Sequence, residues 1–121
     1  MDLLKEDGQL LRIMIGETDK YRRIPLYEWI VKQARKQGMA GATVLRGIQG
    51  FGANSLIHTT KILRLSEGLP VVIEIIDTKE KIESFLPIID GAIEEGIATV
   101  EKATVRFYRS RHDSAGLKTK K

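Results

Sequence analysis

The stretch Leu69-Pro70-Val71-Val72-Ile73-Glu74-Ile75-Ile76-Asp77 decides the fold. From Val71 to Ile76 only Glu74 is polar, the pattern of a central strand buried on both faces. Directly after it, Asp77 or Thr78 stands at a helix N-cap position. Ile82, Phe85, Leu86, Ile89 and Ile93 then recur at helical spacing up to Gly96. Pro87 falls inside this helix, where it is expected to remove one backbone hydrogen bond and bend or split the axis. Residues 97–108 read as a closing strand, with a bulge near Glu101-Lys102 where the alternation slips.

Upstream, residues 9–16 alternate: Leu11, Ile13 and Ile15 share one face, and Leu10, Arg12 and Met14 the other. Residues 17–23 are polar and read as a loop. Pro25 sits where a first helical turn tolerates it. Leu26, Ile30 and Ala34, flanked by Tyr27 and Val31, form a helical stripe ending at Gly38. Residues 42–49 read as a second strand. The order β-α-β-β-α-β is the α+β, ferredoxin-like split βαβ arrangement: an antiparallel four-stranded sheet with two helices on one face. Its usual sheet order places the first and third strands in the middle, and these are the two most apolar strands here.

Length and composition bound the remaining choices. A chain of 121 residues with 42% hydrophobic and 6% aromatic content builds one aliphatic core, over residues 1–108. The absence of cysteine excludes disulfides, thiolate metal sites and a cysteine nucleophile. No segment approaches the roughly 20 apolar residues of a membrane helix, and the start of the chain lacks the apolar core of a signal peptide. The expectation is a soluble cytoplasmic protein without membrane insertion. The net charge of +4 sits in residues 109–121, where Arg109, Arg111, Lys118, Lys120 and Lys121 stand against Asp113 alone. Residues 1–108 are therefore neutral, and the excess belongs to a basic, disordered tail rather than to a nucleic-acid groove.

Two features of this layout bear on function. Both helices cover one sheet face, yet Leu10, Met14, Val72 and Ile76 point to the other, together with Arg12 and Glu74. Such a face needs a cover. Self-association supplies it economically; a fold-back of the loop at 53–69 is the alternative. Arg12 and Glu74 are placed to pair across adjacent strands. That loop is also long for a hairpin connection, which normally takes roughly 2–5 residues. It carries Leu56, Ile57, Ile62, Leu63 and Leu65, so residues 61–65 are expected to be extended and partly ordered.

The chemistry concentrates in Gly41-Ala42-Thr43-Val44-Leu45-Arg46-Gly47-Ile48-Gln49-Gly50-Phe51-Gly52-Ala53-Asn54-Ser55. Glycines weaken a strand unless the backbone must bend or approach something closely. Gly47 suggests a bulge. Gly50 and Gly52 flank Phe51 where the strand leaves the sheet, so that backbone amides can converge on an anion such as a phosphate, with Arg46, Asn54 and Ser55 as further donors. A glycine-rich shoulder that merely bends a sheet corner is the other possibility. The run is neither a Walker loop, since no Gly-Lys-Ser/Thr follows, nor a dinucleotide fingerprint, since its glycines close a strand. The spacing Gly47-Ile48-Gln49-Gly50 matches a KH loop, but that loop joins two helices.

The run from Gly41 to Gly52, with residues 57–65 and Leu69-Pro70-Val71-Val72-Ile73-Glu74-Ile75-Ile76-Asp77, resembles the PII-like family within the nitrogen-regulatory PII superfamily. The resemblance covers about residues 9–108. It implies βαββαβ homotrimers with an adenine nucleotide (ADP, AMP or ATP) in clefts between subunits. By the same resemblance Gly50-Phe51-Gly52 closes the second strand and residues 53–69 form the partner-engaging T-loop. It implies a signalling protein acting on a transporter, channel or enzyme, and not itself an enzyme. Thr43, Arg46, Gly47, Gly50, Phe51, Gly52, Ala53, Asn54 and Arg106 are the candidate nucleotide-binding residues. The chain departs from the classical pattern. Ala53-Asn54 replaces Arg-Gln, and Glu94-Glu95-Gly96 replaces a Gly- and Lys-rich phosphate loop. Carboxylates there favour ADP or AMP over a triphosphate. Lys20, Arg22 and Arg23 are substitute cations, alongside Arg46 and Arg106. The tyrosine typical of a uridylylated T-loop is missing.

Other signals are weak. His58 and His112 do not cluster with carboxylates, so no metal is predicted. Glu94 and Glu95 point in different directions on a helix end, and no nucleophile stands beside a base. Trp29 suits either a subunit contact or burial under the first loop, and Tyr21 and Tyr108 either base stacking or packing at the core edge. An RNA-binding module shares the βαββαβ order but stacks bases on aromatics of its central strands, and those strands have none here, so nucleic acid is not the expected partner. A ligand-independent trimeric interaction module, like the CutA relatives of PII, is the remaining alternative.

Overall fold

The computed structural model describes residues 2–51 and 68–111. Its elements are α1 (Asp2–Asp7), β1 (Gly8–Gly16), β2 (Lys20–Tyr21), β3 (Ile24–Pro25), α2 (Leu26–Lys36), β4 (Thr43–Arg46), β5 (Pro70–Thr78), α3 (Lys79–Asp90) and β6 (Ile97–Lys102). The main sheet has the order β4-β5-β1-β6 with every neighbour antiparallel. This is the ferredoxin-like arrangement, with the first and third principal strands central.

β1 and β5 pair without interruption from Gly8↔Thr78 to Gly16↔Pro70. The register sets Leu11, Ile13 and Ile15 beside Ile75, Ile73 and Val71 on one face. Leu26, Ile30 and Ala34 of α2 and Ile82, Phe85 and Ile89 of α3 close over them, and all are buried. Full burial of each large aliphatic or aromatic side chain contributes about 1.5–3 kcal/mol, so this face carries the stability of the subunit. Thr78 caps α3, its hydroxyl accepting the N–H of Lys81 at 3.2 Å. Pro87 neither splits nor ends α3. It lies on the exposed side, where water reaches the orphaned carbonyl, while Phe85 and Ile89 on either side hold the helix to the sheet.

The structure departs from the sequence expectation in four places. The polar loop contains a hairpin, β2 with β3, turned by Arg22 and Arg23 at φ 52° and 72°. Two consecutive left-handed residues make the turn that Asn-Gly normally supplies, and for a side chain with a Cβ that conformation costs roughly 1–2 kcal/mol per residue. The second principal strand spans Thr43–Arg46 rather than 42–49. It stops because the Gly47 N–H turns onto the Pro70 carbonyl at 2.7 Å, at the end of β5. The last strand spans Ile97–Lys102 rather than 97–108, and its register with β1 runs from Met14↔Ile97 to Gln9↔Lys102 with no bulge. β1 begins at Gly8, whose carbonyl takes the Ala103 N–H at 3.0 Å, so no partner strand remains beyond that point. Finally, residues 2–7 form a short helix.

Gly96 fixes the entry to β6. A Cβ built there would stand 2.7 Å from the Met14 carbonyl oxygen and 2.9 Å from Ile15 Cγ2. Gly96→Ala should therefore destabilise the fold by about 1–3 kcal/mol, seen in urea as a lowered midpoint with unchanged slope.

Candidate ligand groove and open sheet face

Cross-strand registers place the side chains of the uncovered face in rows. Thr43, Glu74, Arg12 and Thr99 form one; Leu45, Val72, Met14 and Ile97 form the next; Ile76, Leu10 and Glu101 a third. The polar row is paired within itself and to the third row. Arg12 Nε donates to Glu74 Oε2 at 3.0 Å, and Arg12 Nη1 lies 3.6 Å from Glu101 Oε1. Pairs this exposed contribute about 0–1 kcal/mol, so their effect is to order the row. The apolar row crosses the full width of the sheet with Leu45 at 50%, Met14 at 38% and Ile97 at 53% exposure.

At one end of this face the chain forms a groove of about 480 Å³. Residues 40–43 make one wall, residues 103–108 the other, and Glu74 and Ile76 the floor. Its walls are tied together at Ala40. The Ala40 N–H donates to Asp77 Oδ2 at 2.7 Å, and the Ala40 carbonyl accepts the Tyr108 hydroxyl at 2.8 Å. Asp77 is buried, its other oxygen accepts the Thr78 N–H at 2.7 Å, and Lys81 Nζ stands 3.9 Å from it. Lys81 also donates to the Gly38 carbonyl. The carboxylate thus anchors the α2–β4 connection to the end of β5. Arg106 is the cation of the lining and Glu74, engaged by Arg12, its carboxylate. Arg109 covers the Phe107 ring at 4.3 Å and stiffens the segment leaving the groove.

Residues 8–105 match the family model DUF190, Uncharacterized ACR. The chain belongs to the DUF190 family. It is 40% identical over 99 residues to a UPF0166 protein of Aquifex aeolicus (strain VF5), covering 82% of this chain and 93% of that protein. It is similar in structure to CPII, a nitrogen regulatory PII-like protein from Thiomonas intermedia K12 solved with ADP, AMP and bicarbonate, with a TM-score of 0.55 at 15% identity over 83% and 93% of the two chains. It is also similar to Arabidopsis thaliana PII bound to citrate, with a TM-score of 0.52 at 17% identity over 85% and 87%. These structural likenesses establish a PII-like fold for this DUF190 chain.

Of the sequence-predicted site residues, the structure brings Thr43 and Arg106 together in the groove. Arg106 is not on the last strand as expected, but four positions beyond its end. Arg46 lies elsewhere. Three positions along a strand from Thr43, it faces the opposite side, in register with Val71, and its guanidinium is taken by Glu17. The Gly47 amide does not point to a ligand, since Pro70 accepts it. Gly47 is required because a Cβ there would stand 2.7 Å from Pro70 Cγ, and at Gly50 one would stand 3.0 Å from the same atom. The shoulder is thus moulded around a proline ring. Phe51 is 66% exposed. Gly52, Ala53 and Asn54, His58 and the extended segment foreseen at 61–65 lie outside the described residues. Trp29 takes the second of its two roles, packing on Tyr21 of the hairpin with ring centroids 4.5 Å apart.

Asp77, read as a possible helix cap, and Tyr108, read as a stacking or packing ring, are positioning residues whose hold on Ala40 sequence reasoning missed. The available signal was a carboxylate at the end of a central strand, one residue before a Thr that is itself the better cap. Asp77→Ala should lower stability by about 1–3 kcal/mol, because the Ala40 and Thr78 amides lose their acceptor. Amide hydrogen exchange at Ala40 should rise more than that in the β1–β5 core.

Proposed function

We propose that the chain is a PII-like regulatory subunit that assembles as a homotrimer and binds an adenine nucleotide (ADP, AMP or ATP) in clefts between subunits. The 53–69 loop then controls a target transporter, channel or enzyme in the cytoplasm. The observation that carries this proposal is the groove beside the uncovered face, which joins Thr43 to Arg106. Among the described residues no carboxylate pairs with Arg106, so its planar fork of donors is open to a phosphate. The backbone of residues 40–42 and the apolar floor at Ile76 suit a flat heteroaromatic base. CPII, which shares the fold, was solved with ADP and AMP.

The groove and the glycine shoulder lie at opposite ends of β4. A ligand held by Thr43 and Arg106 therefore meets Gly50, Phe51, Gly52, Ala53 and Asn54 most simply when those come from a neighbouring subunit. Glu94 and Glu95, just before β6, disfavour a third phosphate, which points to ADP or AMP. No metal is required for such binding. Residues 1–108 form the regulatory domain, and 109–121 a basic appendage. Ligand and loop are coupled only as far as the nucleotide contacts differ between the loop's states. In the groove Glu74 is engaged by Arg12 and the Tyr108 hydroxyl by the Ala40 carbonyl. Among the described residues no hydroxyl there is hydrogen-bonded to a base, which favours a binding role over catalysis.

Titration calorimetry of the full chain with AMP, ADP, ATP and cyclic AMP tests this directly. A saturable heat with at least one of the first three is expected, with stabilisation of about 2.7 kcal/mol at a hundredfold excess over Kd. Arg106→Ala should weaken that binding at least tenfold, and Arg46→Ala, whose charge already serves Glu17, much less. Absence of both heat and thermal shift at millimolar ligand would leave a ligand-independent interaction module.

A further inference from the structure

We infer that the β2–β3 hairpin is a second partner-docking element, a preformed cationic tip that binds a carboxylate-rich segment of the protein the subunit controls. It rests on the proposal that the 53–69 loop faces such a partner, because hairpin and loop leave the same end of the sheet. Gly16 pairs with Pro70, the Glu17 N–H donates to the Leu69 carbonyl at 2.8 Å, and the hairpin starts three residues later at Lys20.

Three observations point to recognition rather than packing. First, the turn is made by Arg22 and Arg23, both in the left-handed region. Asn-Gly would form the same turn with less strain, and strain held in an exposed, well-supported segment commonly marks a working site. Second, Lys20, Arg22 and Arg23 are exposed, and among the described residues none of them pairs with a carboxylate. The nearby acids are committed elsewhere. Glu17 holds Arg46, and Asp19 Oδ2 accepts the Gly16 N–H at 3.0 Å.

Third, the tip is held rigid. The Leu26 N–H donates to the Asp19 carbonyl at 2.8 Å, Tyr21 packs on Trp29, and Arg22 lies 5.0 Å over the Tyr21 ring. Two guanidinium forks carried on a rigid turn, one of them held over a ring, suit bidentate carboxylates. A lipid surface is a poorer match, because membrane-binding elements set apolar side chains beside their cations, and here Tyr21 and Trp29 are spent on each other.

The test compares the wild-type chain with Arg22→Asn/Arg23→Gly, which removes both charges while relaxing the turn. The probe is a fluorescent oligoglutamate peptide, followed by anisotropy at low and at physiological salt. The double variant should bind the peptide at least fivefold more weakly and melt about 5 °C higher. Replacing Lys118, Lys120 and Lys121 by Gln should change peptide binding less than twofold. Arg22→Lys/Arg23→Lys should give an intermediate loss, because it keeps charge without the fork. The hairpin follows Gly16, at the end of the sheet opposite the groove floor at Glu74 and Ile76. Within the subunit Lys20, Arg22 and Arg23 are therefore not brought to the groove as the expected substitute cations, and nucleotide heats should be the same in wild type and double variant, whatever their size. Unchanged peptide affinity, a lowered melting temperature, loss through the tail variant, or binding to phosphatidylglycerol vesicles but not to the peptide would each overturn the inference. A nucleotide heat present in wild type and lost in the double variant would place the arginines in the nucleotide site instead.

Discussion

Two helices can roof only one side of a four-stranded sheet, and the other side of this one is not built to face water. Its polar row is paired through Arg12 and Glu74 and tied by Arg12 to Glu101 of the next row, while Leu45, Val72, Met14 and Ile97 run unbroken from one edge strand to the other. Contiguous apolar patches of more than a few hundred Å² are rare on soluble monomers. In the proposed assembly further copies would cover the apolar row, and the same packing would bring each groove to a subunit boundary, because the groove opens along the rim of that face.

The groove depends on a short chain of causes. β1 starts at Gly8, so β6 loses its partner at Ala103 and the chain swings across the end of the sheet. Tyr108 catches Ala40, and Asp77 catches the same residue from the other side. Those two bonds convert two loops into opposing walls, and Arg106 is carried there as part of the second. The groove owes its position to strand lengths.

Much of the fold was legible from periodicity. Alternation in residues 9–16 and the apolar run at 71–76 identified the central strands, and the Arg12–Glu74 pair followed from their antiparallel register. Strand ends were not legible, because they are set by the partner's length: residues 104–108 continue a plausible pattern with nothing to pair with. The Arg22–Arg23 turn carries no turn signature and could not be foreseen. Gly47 suggested a bulge and stood among the candidate ligand contacts, whereas its deciding contact is with Pro70, distant in sequence. Thr43 and Arg46 stood in one candidate set although the strand period puts them on opposite faces. Thr43 and Arg106 stood in one candidate set under the family resemblance, and both line the groove.

The dependence of the whole scheme on a covered face is open to a direct measurement: the mass of the full chain in solution, by light scattering after size exclusion, across the micromolar range. The proposed homotrimer, which buries the Leu45–Ile97 row between copies, predicts a mass of three chains of 13.6 kDa each. A single-chain mass at every concentration would show that the row tolerates water, and the inter-subunit cleft would then have no basis.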